Sequence, residues 1–175
     1  MKTLIKYLSL SLLLLSHQAS ACSLATAGIF KPSLERWEQH PGPAQKGEKG
    51  DYWEPVPAPV IKSINVTRGS SSSDGSCDDA GIISIEIALP ESATYSIDEF
   101  GFYFRVVSGK LPDAIFPDVP LIGDIKDNSS YIRLAWLDGH PSDQIDLDLQ
   151  VEVFLVTNGL NVGPSTVFSI KANKG

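Results

Sequence analysis

The chain has 175 residues, 14 Lys and Arg against 21 Asp and Glu, and two cysteines. That length suits about one domain beyond any processed segment. An acidic balance without a basic stripe argues against nucleic acid or an anionic lipid surface as partner.

Residues 1–21 read as a secretory signal peptide. Lys2 and Lys6 make a positive start, and residues 7–15 are apolar apart from Ser9 and Ser11. Spanning a bilayer takes roughly 20 apolar residues, more than this run supplies. Ser16, His17 and Gln18 follow, then Ala19-Ser20-Ala21, small at both positions a signal peptidase reads. Removing 21 residues leaves 154 and takes away Lys2 and Lys6, so 12 basic residues face 21 acidic ones, a net charge of −9. No later segment is apolar and long enough to span a membrane.

The first mature residue is then Cys22, and two fates are open to it. A lipobox carries Leu three residues before its cysteine, where this chain has Ala19, although Ser20 and Ala21 fit that motif. Lipid on Cys22 would anchor the chain to a membrane and leave Cys77 a lone thiol. A Cys22–Cys77 disulfide suits an exported domain, and the weak lipobox favours it.

Residues 22–56 read as an irregular arm and linker. Phe30, Leu34 and Trp37 recur at roughly helical spacing, and these apolar residues are expected to cover an edge or end of the main domain, with a partner-binding arm as the alternative. Pro41, Gly42, Pro43, Gly47, Gly50, Pro55, Pro57 and Pro59 favour extended linker backbone.

From residue 60 the period is that of strands. Residues 60–66 form the first. Ile83, Ile85, Ile87 and Leu89 alternate with polar or small residues in the second, and Phe102, Phe104 and Val106 in the third. Ile115-Phe116, flanked by prolines, is expected to be a short edge strand. Ile132, Leu134 and Trp136 mark the next, a long alternation over residues 145–155 follows, and residues 167–170 form the last. Residues 57–172 are therefore expected to form an all-β, antiparallel sandwich of about seven strands.

The segment Leu149-Gln150-Val151-Glu152-Val153-Phe154-Leu155, the turn Asn158-Gly159-Leu160-Asn161 and Gly163-Pro164-Ser165 resemble the F strand, FG loop and G strand of fibronectin type III domains. The resemblance implies an immunoglobulin/fibronectin III-like sandwich. The chain departs from it in lacking the Trp of the second strand, near Ile87 or Leu89, and the Tyr that opens the F strand, near Leu147 or Leu149. The chain also resembles exported bacterial proteins of no assigned activity that carry a loop like Ser76-Cys77-Asp78-Asp79-Ala80-Gly81.

Catalytic chemistry is thinly supplied. The mature chain holds two histidines, His40 and His140, and lacks Gly-x-Ser-x-Gly, His-Glu-x-x-His and Cys-x-x-Cys. A Ser/His/Asp set through His140 is the one route to a small hydrolase. Asp74, Asp78 and Asp79 in one loop, and Asp118, Asp124 and Asp127 in another, lack the order of a calcium loop. Neither metal nor cofactor is expected. Asp146, Asp148, Gln150 and Glu152 read as the solvated outer face of the long strand. The expectation is a non-catalytic exported module, in the periplasm or secreted, that binds an unknown protein or glycan or plays a structural part. Its contact loops would be residues 138–142, with Asp138 and His140, and residues 158–164, with Asn158 and Asn161. An accessory lipoprotein held by Cys22 is the alternative.

Overall fold

The structure is a computed structural model and describes residues 26–30, 56–70, 77–93, 95–158 and 161–175. Within these, nine strands form two antiparallel sheets and there is no α-helix. The strands are β1 (Gly28–Ile29), β2 (Val60–Thr67), β3 (Ala80–Ala88), β4 (Gly101–Ser108), β5 (Leu121–Ile122), β6 (Asp124–Lys126), β7 (Ser129–Leu137), β8 (Leu147–Val156) and β9 (Thr166–Ala172). One sheet has the order β1-β5-β4-β8-β9, the other β2-β3-β7-β6.

The six long strands stand where alternation placed them, because period-two apolar residues must face one side of a pleated strand. Ile83, Ile85 and Ile87 of β3, Phe102 and Phe104 of β4, Ile132, Leu134 and Trp136 of β7, and the odd-numbered apolar residues of β8 are buried between the sheets. That shared core holds the two layers together.

The expected edge strand at Ile115-Phe116 does not form. Pro112, Pro117 and Pro120 around it supply no amide hydrogens for a ladder, so the segment runs as turns. Ile115, 2% exposed, plugs the core instead, and Phe116 lies beside Phe104 with ring centroids 5.7 Å apart. Alternation also misses three short strands, of which β1 and β6 are sheet edges and β5 lies between β1 and β4. Leu121–Ile122 pairs with β4 at Phe102, and the chain then crosses at Gly123 to the other sheet, where Asp124–Lys126 pairs with β7. A Cβ at position 123 would lie 2.3 Å from the Tyr131 carbonyl oxygen, so the crossing needs glycine.

Part of the expected arm is ordered as an edge strand. The Ala27 amide donates to the Arg133 carbonyl of one sheet, Gly28–Ile29 pairs with Ile122 and Leu121 of the other, and the Phe30 amide donates to the Pro120 carbonyl. The Phe30 ring, 5% exposed, lies over Gly101, where a Cβ would come within 2.5 Å of it. This clasp closes one open side of the sandwich. Leu34, Trp37, the residues of the proline-rich linker before Val56, and Cys22 lie outside the described residues.

Candidate functional site

The loops gather at two ends of the sandwich. Ala88 pairs with Ser129 and Val60, while Gly101 pairs with Val156. Thr166 Oγ1 donates to the Pro59 carbonyl and ties these sheet ends together. Residues 89–93, 95–100, 127–128, 157–158 and 161–165 therefore share one end. At the other, Ala80 pairs with Leu137 and Leu147 with Ala172, and Arg68 joins the two sheets. Strands of eight to ten residues hold the ends about 30 Å apart. The two contact loops expected from sequence thus lie at opposite ends: Asp138 and His140 at one, Asn158 and Asn161 at the other.

The Asp138 end is a polar knot, and Asp138, expected as a contact residue, is 8% exposed within it. The Arg68 guanidinium grips the carboxylate in two places, Nε to Oδ2 at 2.8 Å and Nη2 to Oδ1 at 2.9 Å, with side chains 9% and 1% exposed. The Gly69 amide and Trp136 Nε1 also donate to it, at 2.8 and 3.1 Å. Arg68 further donates to the carbonyls of Ile145, Ala172 and Asn173. Gln144, 6% exposed, donates to the Gly69 and Gly139 carbonyls and accepts from the Gly175 amide. Burial alone would raise the Asp138 pKa, but the hydrogen bonds from Arg68 and Gly69 outweigh it and hold the carboxyl below the usual range. A signal for this knot existed. Position 138 continues the inward series Ile132, Leu134, Trp136, and position 68 continues Ile64 and Val66.

His140 is exposed beside the knot. Its Nδ1 lies 2.9 Å from Ser142 Oγ and accepts from the Ser142 amide, while Ser142 Oγ donates to Asp143 Oδ1 at 3.4 Å. The hydroxyl sits between imidazole and carboxylate. A nucleophilic triad needs the imidazole in the middle, so this set is a surface turn motif.

On the outer face of the five-stranded sheet, Glu152 is 8% exposed, against the expectation of a solvated acidic row. Arg105 pairs with it and also covers the Phe154 ring at 5.4 Å. Tyr103 donates to Asp118 Oδ1 at 2.6 Å, and burial first, then that bond, pushes its pKa up to about 12. Asp118 is thus engaged there, and Asp124 accepts from Arg133. Among the described residues no three His, Cys, Asp or Glu side chains group to hold a metal. The backbone of Cys77 opens a 3-10 turn, Cys77–Asp79, at the knot end.

The opposite end is open. The turn after β8 closes on itself: Thr157 and Asn161 exchange hydrogen bonds and the Gly163 amide donates to the Leu155 carbonyl. Asn158 is exposed at its tip and Asn161 half-buried at its base. Beside β2 and β3 lies a cavity of about 210 Å³ lined by Lys62, Leu89, Glu91, Tyr95, Asp127 and Asn128, among others. Of these, the sequence singles out only Leu89, as a strand residue, and Asp127, as part of an acidic loop; Lys62, Glu91, Tyr95 and Asn128 carry no such signal. A second gap, about 130 Å³, lies between the clasp and β7 and includes Ala27, Ile122, Tyr131 and Arg133. Comparisons with protein-family models, curated proteins and solved structures found no match.

Proposed function

We propose that the chain is an exported, non-catalytic module of the cell envelope or the secreted fraction, an immunoglobulin/fibronectin III-like sandwich that binds a protein or glycan through one end. The charge, apolar run and Ala19-Ser20-Ala21 site of residues 1–21 support export. The strand orders support the fold reading: β2-β3-β7-β6 facing β5-β4-β8-β9 follows the ABED and C′CFG arrangement of immunoglobulin-like domains, with β1 added at an edge. The observation that carries the function is the inequality of the two ends. At one, the buried polar side chains of Arg68, Asp138 and Gln144 are consumed in holding the sheets together. At the other, polar side chains surround an open cavity.

Photo-crosslinking in the producing cell tests this. A crosslinker at Asn158 or Ala93 is expected to trap a protein or glycan partner, and one at Ser142 to trap none. Equal trapping from both ends, or none at Asn158 and Ala93, overturns the reading.

The lipoprotein alternative turns on Cys22. The Ala27 hydrogen bond fixes the arm beside Arg133, four residues along β7 from Leu137, the partner of Ala80.

A further inference from the structure

We infer that the cavity between β2, residues 88–93, Tyr95 and the 127–128 turn binds one neutral sugar unit of a glycan, an inference that rests on the binding-module reading above.

Two separate backbone irregularities converge on this cavity. Strand β2 pairs Ile61 with Ile87 and Ser63 with Glu86, which leaves Lys62 as the extra residue of a β-bulge. A bulge re-aims a side chain that regular pleating would send elsewhere, and Lys62 lines the cavity. Across from it, the β6–β7 hairpin turns on Asp127 and Asn128 at φ 49° and 60°. A two-residue turn with both φ positive is served at least conformational cost by glycine at its second position. Asn128 keeps its carboxamide there, at the rim of the cavity. The third wall is the turn closed by the Ala93 amide on the Pro90 carbonyl, which carries Glu91, and the Tyr95 ring, held edge-on by Phe100 at 5.7 Å.

The lining chemistry selects the ligand class. It offers an ammonium, two carboxylates, a carboxamide and an aromatic wall, with both donors and acceptors around a space for one ring. Among the described residues, no hydrogen bond or ion pair engages the side chains of Lys62, Glu91 or Asn128. Vicinal sugar hydroxyls donate to carboxylates and accept from ammonium and amide groups at once. Of the two lining carboxylates, Asp127 is already paired with Lys126 at 4.0 Å, so Glu91 and Lys62 leave the cavity near neutral on a chain that is acidic overall, which favours a neutral ligand over an anionic one.

Amide NMR of the isotope-labelled protein, titrated with the methyl glycosides of glucose, galactose, mannose and N-acetylglucosamine, tests the inference. At least one is expected to give saturable shifts centred on residues 88–95 and 127–129. Asn128→Gly, which keeps the turn, should weaken that binding about tenfold, and Ser142→Ala at the far end should leave it unchanged. No saturable shifts from any of the four, shifts centred elsewhere, or shifts produced only by the charged probes glycine, glucosamine and glucuronate overturn it. A protein trapped at Asn158 or Ala93 alongside a negative titration would sink the sugar site alone and leave the module reading standing.

Discussion

Four hydrogen bonds end on the carboxylate of Asp138. Removing that carboxylate strands the Arg68 charge in a site where it is 9% exposed. Asp138→Ala is therefore expected to lower the unfolding free energy by about 3–5 kcal/mol, whereas replacing Arg68 and Asp138 together with Met and Leu should cost less, since no orphan charge remains. Urea midpoints measure both. Because folding depresses the Asp138 pKa, its stabilising contribution is present above the ordinary carboxylate value of about 3.9 and is lost as pH falls through the lower folded value. The Asp138→Ala variant should accordingly lose less stability than the parent on acidification below about pH 4. Tyr103 shifts the other way, so its contribution is full below the ordinary tyrosine value of about 10 and disappears as pH rises through about 12. Alkaline difference absorbance should show a late tyrosinate component that Tyr103→Phe removes; an unchanged late component would reassign it.

Among the elements, the sheet crossing at Gly123 and the hairpin that follows it had no legible sequence signal of the usual kind. Strands of two and three residues are too short for alternation to register, and the Asp127-Asn128 pair lacks the glycine that marks such turns. The long strands were legible because burial between two sheets imposes a strict two-residue period. The burial of Asp138 was hard to read for the opposite reason. Asp138-Gly139-His140-Pro141 has turn composition, and its partner Arg68 is 70 residues distant, so composition spoke for solvent while position in the alternation spoke for the core. Two substitutions separate these constraints. Gly123→Ala brings a methyl against the Tyr131 carbonyl and should destabilise by about 1–3 kcal/mol. Asn128→Gly should change stability by less than about 1 kcal/mol, which thermal unfolding can check.

Taken whole, the molecule is a sandwich closed at one side by the residue 27–30 clasp and at one end by the Arg68–Asp138 knot. Of the three apolar arm residues expected to cover an edge or end, Phe30 lies buried over Gly101, and Leu34 and Trp37 lie outside the described residues. Phe30→Ala should cost about 3 kcal/mol if the clasp opens only with the core, and should speed amide exchange at Ala27 and Phe30 far more than at β8 if it opens alone. The sugar-sized cavity was not legible, because Lys62, Glu91 and Asn128 are ordinary surface residues until the bulge and turn bring them together. The proposed function depends on export, and the intact mass of the protein recovered from the producing cell tests that most directly. Export with a Cys22–Cys77 disulfide gives an envelope or secreted species that begins at Cys22 and weighs two hydrogens less than the reduced chain. Recovery from the cytosol with Met1 and residues 2–21 in place would contradict it.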